Sequence, residues 1–255
     1  MIIDAELINT ILPVAKKAGN AILDIYYSGE KIHVSVKADH TPLTIADKAS
    51  NSIITNGLLE LFPGIPILSE EGAAVPYETR KEWDYYWCVD PLDGTKEFIY
   101  RRDDFTVNIA LMHNNHPVLG IIYAPVYHAL YYGSGATGSW LKRNDLPPEQ
   151  LFADKAAKEW TAIGSRSHAS EEEQAVLAMY PVTKTIAAGS SLKFCRIAEG
   201  SAHIYYRYGP TMEWDTAAGQ AIAESSGAVM TAGDGTPFLY NKPLLLNSGF
   251  ICKVL

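Results

Sequence analysis

The chain has 255 residues, 47% hydrophobic and 20% charged. That is the balance of a soluble globule long enough for a sizeable core, and not of a disordered or fibrous chain. Twenty-one Lys and Arg against 29 Asp and Glu leave a net charge of −8, which argues against general nucleic-acid binding, since that needs a basic footprint. The three cysteines, Cys88, Cys195 and Cys252, lie far apart without metal-ligand spacing and read as reduced thiols. With no leader-like N-terminus and no apolar run near the ~20 residues of a membrane helix, the expectation is a cytoplasmic protein without an integral membrane segment.

Leu7, Ile8, Ile11, Ala15, Ala18, Ile22 and Ile25 recur at spacings of three and four, which predicts an amphipathic helix, with Pro13 kinking it or marking its first turn. Thr44–Leu61 reads as a second helix. Short buried strands are expected at Ile65–Leu68 and Tyr85–Val89, each running into an acidic loop. Phe105–Met112, Val118–Ala124 and Ala129–Gly133 have the texture of an antiparallel meander. Gly133–Gly138 matches G-x-G-x-x-G, but no helix opens behind it to meet a pyrophosphate, so a glycine-rich hairpin turn is expected there.

Asn144–Gln150, with Pro147 and Pro148, is the candidate linker. Beyond it, strand-like runs at 161–163, 182–186, 202–206 and 228–231 alternate with helix-like ones, and Ser170 with Glu173 forms a capping-box pattern. The expected organisation is an N-terminal α+β domain over residues 1–148, with an antiparallel sheet and most of the acidic candidates. A C-terminal α/β domain over 149–255 would follow.

Carboxylates stand at the ends of these elements: Asp47, Glu70, the pair Asp90 and Asp93, and Asp215. In Asp90-Pro91-Leu92-Asp93-Gly94-Thr95, Pro91 stiffens the turn and two carboxylates three apart can converge with the Leu92 carbonyl between them. An all-oxygen set suits Mg²⁺, and no His or Cys competes for a softer metal. The N–H groups of Gly94 and Thr95 could face a phosphate oxygen. Each acid alone also has a plain structural explanation. Asp47 completes a capping box from Thr44, Asp215 complements a helix dipole, Glu70 reads as a solvated loop acid beside Glu71, and Asp90 and Asp93 stabilise a turn. Gathered together they repel one another unless a cation binds.

The run from Trp87 to Phe98 (Trp-Cys-Val-Asp-Pro-Leu-Asp-Gly-Thr-Lys-Glu-Phe) resembles the first signature of the inositol monophosphatase superfamily of Mg²⁺-dependent, lithium-sensitive phosphatases. Trp214–Gly219 resembles the second. Leu68–Glu71 and Thr41–Asp47 match the remaining acidic segments, in order. Gly-Thr-Lys-Glu-Phe, with Ser165–His168 and Gly189–Phe194, resembles the 3′(2′),5′-bisphosphate nucleotidase branch, the CysQ type. The resemblance implies a layered α/β/α/β/α sandwich with the site between its halves. It implies Glu70, Asp90, Asp93, Asp215 and the Leu92 carbonyl as ligands of two or three Mg²⁺ ions, with Asp47 and Thr95 activating water.

It further implies hydrolysis of 3′-phosphoadenosine 5′-phosphate, and of its sulfated form, at the 3′ phosphate, in the nucleotide turnover of sulfur assimilation. Glu70, Leu92, Asp93, Gly94, Thr95 and Asp215 would contact the reacting phosphate. Ser165, Arg166, His168, Ser190, Lys193 and Arg207 would meet the remote part of the nucleotide, with Tyr205 or Tyr208 for stacking. The chain is expected to be a monomer or homodimer, cytoplasmic or peripheral at the inner face of the cell membrane. An inositol-phosphate or sugar-bisphosphate phosphatase is the rival enzyme. A non-catalytic nucleotide or metal sensor is the rival of another class.

Overall fold

In the computed structural model, which describes residues 1–29, 34–36, 42–165 and 170–255, helix α1 (Ala5–Tyr27) opens at Asp4, whose carboxylate accepts the Leu7 N–H at 2.9 Å. The helix continues through Pro13, so the proline does not mark the first turn. What it removes is the N–H that the Asn9 carbonyl would have accepted. Strands β1 (Val34–Val36) and β2 (Pro42–Thr44) pair antiparallel and lead into α2 (Ile45–Leu61).

Next come β3 (Ile67–Ser69), the one-turn α3 (Tyr77–Arg80), β4 (Tyr85–Asp93) and α4 (Thr95–Ile99). Five strands follow: β5 (Thr106–His113), β6 (His116–Ala124), β7 (Ala129–Ser134), β8 (Gly138–Arg143) and β9 (Glu149–Leu151). Together with β3, at one edge, and β4 beside it, they form a seven-stranded sheet in chain order, parallel only between β3 and β4. The G-x-G-x-x-G match is the β7–β8 hairpin. β9 pairs with β8, so the first sheet reaches Leu151, past the division expected at 148/149. Pro147 and Pro148 therefore sit in a connection within one sheet and not in a linker between domains.

The rest of the chain supplies β10 (Trp160–Gly164), α5 (Glu171–Leu177), β11 (Val182–Ala187), α6 (Leu192–Ala198), β12 (Ile204–Arg207), β13 (Thr211–Met212), α7 (Glu213–Ser225), β14 (Val229–Ala232), β15 (Leu246–Asn247) and β16 (Phe250–Lys253). The second sheet is mixed, in the order β11-β10-β12-β16-β14. Ser170 and Glu173 make the expected capping box of α5.

The central strands β4–β7 of the first sheet are buried on both faces, which is why they read as nearly continuous apolar runs. Alternation divides their side chains. Val107, Ile109 and Leu111, like Trp87 and Val89, pack with Ile11, Ile22 and Ile54 of α1 and α2. Ala110 and Met112, like Tyr86 and Cys88, join Phe194 of α6 and Ile222 of α7, and that same core continues to Phe250 of the second sheet. On the far side of the second sheet, Val176 and Leu177 of α5 cover Ala162, Ile204 and Ile251. The layers are thus α/β/α/β/α, as expected. One glycine fixes the central contact: a Cβ on Gly120 of β6 would lie 2.1 Å from the Ala218 carbonyl oxygen of α7.

Candidate active site

Asp90 and Asp93 would face opposite sides of a regular strand, because side chains alternate. A bulge prevents this. Asp90 pairs with Asn108 and Asp93 with Thr106, so three steps along β4 match two along β5, and both carboxylates come to the face covered by α6 and α7. The Leu92 N–H donates to Asp90 Oδ1 at 3.0 Å, and Ser50 of α2 donates to the Pro91 carbonyl at 2.7 Å. Gly94 then takes φ +88°, a left-handed conformation that opens α4 with Thr95 as its first residue.

Asp47 is buried in the first turn of α2, and the capping explanation holds for it. Its Oδ2 accepts the Thr44 backbone N–H at 2.7 Å and the Thr44 hydroxyl at 2.5 Å. The same carboxylate also faces α4: Thr95 Oγ1 lies 3.3 Å from Asp47 Oδ1 and 3.3 Å from the Leu92 carbonyl oxygen. Cap and site are one group.

Glu70 follows β3, with its N–H donating to the Val89 carbonyl at 3.1 Å. Asp215 sits in the first turn of α7, where it accepts the Met212 N–H at 2.8 Å. Burial pushes Asp90 well above the usual carboxylate range, and the charges of Glu70, Asp93 and Asp215 push it further. Burial, then Asp93, lifts Asp215 to about 8. The shifts of Asp90 and Asp215 mark a concentration of negative charge, which Lys193 offsets only in part at Asp215. Among the described residues, no three acidic, imidazole or thiolate groups stand in a closed ligand set. Instead the carboxylates of Asp90, Asp93 and Asp215 are held by protein donors. A set made wholly of hard oxygens, where burial and neighbouring charge raise Asp90 and Asp215, fits Mg²⁺.

Asp93, Gly94, Ser165, Ser190, Lys193, Arg207 and Asp215 line one cavity of about 680 Å³. Lys193 is buried. Its Nζ donates to the Ser190 carbonyl at 2.6 Å and lies 5.4 Å from the centre of the Tyr205 ring. Burial lowers its pKa, against the pull of Asp93. Arg207 donates to Ser165 Oγ at 3.0 Å, while its Nε is buried and has no hydrogen-bond partner among the described residues. Arg166 and His168 lie outside the described residues.

The stacking expectation changes. Tyr205 lines the cavity but is almost wholly buried: it meets Phe194 and Phe250 in T-shaped contacts at 5.2 and 5.1 Å between ring centres, and Lys193 Nζ lies over its ring. Tyr208 is exposed and is not part of the cavity lining. Sequence reading also missed Glu97 and Arg102, which line the cavity. It missed Asn108 and Ser191 too, both buried against Asp93. An amide inside the apolar run of β5 was the one available signal.

A family model described as the inositol monophosphatase family matches residues 4–252. The chain belongs to the inositol monophosphatase family. By class it is a phosphatase, as the resemblance implied. It is similar to the 3′(2′),5′-bisphosphate nucleotidase CysQ of Shigella flexneri, 43% identical over 246 residues that cover 96% of this chain and 98% of that one. Among solved structures it resembles CysQ from Bacteroides thetaiotaomicron, titled a bacterial member of the family, with TM-score 0.84, 41% identity and 96% of each chain covered. The fold recurs in SuhB of Bartonella henselae, with TM-score 0.78 at 24% identity, over 98% of this chain and 94% of that one. No helix among the described residues is long and apolar enough to cross a membrane.

Proposed function

We propose that this chain is a Mg²⁺-dependent 3′(2′),5′-bisphosphate nucleotidase. It would hydrolyse 3′-phosphoadenosine 5′-phosphate to AMP and phosphate, and the sulfated nucleotide to adenosine 5′-phosphosulfate, in the cytoplasmic nucleotide turnover that accompanies sulfur assimilation. The observation that carries the reading is a single cavity lined by acids and cations together: Asp93 and Asp215 with Lys193, Arg207 and Arg102. A substrate with two separated phosphates uses both sets, whereas a polyol monophosphate has nothing for the cations. The similarity to CysQ nucleotidases over almost the whole chain supports the same choice.

Glu70, Asp90, Asp93, Asp215 and the Leu92 carbonyl would hold the Mg²⁺ ions. Bound there, the ions would neutralise the phosphate oxygens and lower the proton affinity of water. The chain's own part is proton handling and orientation. Thr95 donates to Asp47, so its oxygen lone pairs remain to accept from the attacking water, whose proton passes to the Asp47 carboxylate. The water oxygen bonds to phosphorus, the ester P–O bond breaks, and the 3′ oxygen leaves and takes a proton from solvent, to which Asp47 returns its own. Thr44 fixes the Asp47 carboxylate for this role through two hydrogen bonds. Ser190, Ser165, Lys193 and Arg207 would orient the remote phosphate. Binding energy gained there can be used to raise turnover.

Phosphate release from the two adenosine bisphosphate nucleotides, 3′-AMP and inositol 1-phosphate, with Mg²⁺ and with EDTA, tests the reading. Mg²⁺-dependent preference for the bisphosphates, inhibited by Li⁺, is expected. Preference for inositol 1-phosphate would transfer the chain to the rival phosphatase reading. Binding without release would make it a sensor.

A further inference from the structure

Ser191, at the start of α6, is buried where three other elements meet. Its hydroxyl lies 2.6 Å from Asp93 Oδ2 at the end of β4 and 3.0 Å from the Asp215 backbone carbonyl of α7. Asn108 Nδ2 of β5 donates to the same hydroxyl oxygen at 2.7 Å and approaches Asp93 Oδ2 at 3.3 Å. Thr106 in turn donates to Asn108 Oδ1 at 3.0 Å.

These contacts have one consistent direction. The Asp93 carboxylate can only accept, so the Asn108 group 3.3 Å from it is the NH₂, which also faces Ser191, and the amide oxygen is left to accept from Thr106. Ser191 then accepts from Asn108, and its one proton goes to the closer and charged partner, the Asp93 carboxylate. Each donor polarises the next, and the chain ends on an anion. The arrangement joins the two layers that carry the ligands, since Asp93 comes from the first sheet and Asp215 from the helix layer above it.

Resting on the reading of Asp93 and Asp215 as cation ligands, we infer that Ser191 is a positioning residue. Wired through Asn108, it aims the Asp93 carboxylate and holds it in register with Asp215, and thereby sets the cation affinity of the site. Outer donors of this kind typically account for about 10–100-fold in metal affinity.

The test compares wild type with Ser191→Ala and Ser191→Cys. Cysteine retains the bulk of the side chain but donates weakly. Mg²⁺ affinity is measured by calorimetry on the protein alone, beside the Mg²⁺ concentration for half-maximal phosphate release and the thermal midpoint in EDTA. Both variants are expected to bind Mg²⁺ at least about tenfold more weakly while remaining folded. Asn108→Ala should shift affinity in the same direction, and should add little on top of Ser191→Ala, because the two residues act in series. Should Ser191→Ala fail to fold, the cysteine and Asn108 variants read the same quantity. Unchanged Mg²⁺ affinity in folded Ser191→Ala overturns the inference, as does full recovery by cysteine. Wild type that binds no Mg²⁺ overturns it together with the ligand reading. Wild type that binds Mg²⁺ without hydrolysing the nucleotide removes the substrate reading alone, and the affinity comparison still decides this one.

Discussion

Thr44 places its backbone N–H and its hydroxyl on one oxygen of Asp47, at 2.7 and 2.5 Å, while Thr95 approaches the other oxygen at 3.3 Å. In the proposed reaction the helix cap would serve at the same time as an oriented proton acceptor. The two oxygens serve different ends, and that permits a substitution to separate them.

Asp47→Asn keeps the volume and a carbonyl oxygen able to accept the Thr44 N–H. It is expected to lower turnover by about 10²-fold or more, the scale of a lost general base, with only a small change in thermal midpoint. Steady-state kinetics beside thermal unfolding checks this. Near-normal turnover would leave Asp47 as a cap alone.

Cation-free stability should depend on pH with a definite sign. Asp215 is raised from 3.8 to about 8 in the folded protein by burial and by Asp93. Between those values the folded chain keeps a proton that the unfolded chain has released, so stability falls as pH rises through that window. The thermal midpoint in EDTA is expected to drop between about pH 5 and pH 9, and saturating Mg²⁺ should reduce the drop by binding the carboxylate form. A midpoint in EDTA that rises over the same interval would contradict the assignment.

Lys193→Met retains the buried stem of the side chain and removes its charge. It should impair 3′-phosphoadenosine 5′-phosphate by at least about tenfold more than 3′-AMP, in the ratio of kcat/KM values. Equal losses on both would show that Lys193 serves the Ser190 carbonyl, which it contacts at 2.6 Å, and no remote phosphate.

Gly120→Ala tests how closely α7 must lie on the first sheet. The added carbon would meet the Ala218 carbonyl oxygen at 2.1 Å, so the helix must shift. A loss of about 1–3 kcal/mol in denaturant unfolding is expected. Mg²⁺ affinity should weaken too, since Asp215 travels with α7. Wild-type stability would mean the contact is looser than described.

What sequence could reveal follows from how local each feature is. The Asp-Pro-Leu-Asp-Gly-Thr loop was legible because its chemistry is contiguous, and α1 because its apolar spacing is. The bulge that turns Asp90 and Asp93 to one face was not, since register is set by the partner strand β5. Tyr205 looked available for stacking because burial between Phe194 and Phe250 depends on residues far along the chain. The division at 148/149 failed for the sheet because two prolines mark a linker and a hairpin connection equally well. Ser191 reaches Asp93 across 98 positions, and no motif encodes that distance.

The unbroken apolar core from Tyr86 through Phe194 to Phe250 has a mechanical consequence. Jaw-like opening of the two halves would expose that core to water at every cycle. The cleft is therefore built as a fixed socket, and substrate exchange falls to side chains and loops at its rim, such as Arg102. The proposed nucleotide would meet a shape already formed, so its addition should leave the small-angle scattering profile of the protein unchanged.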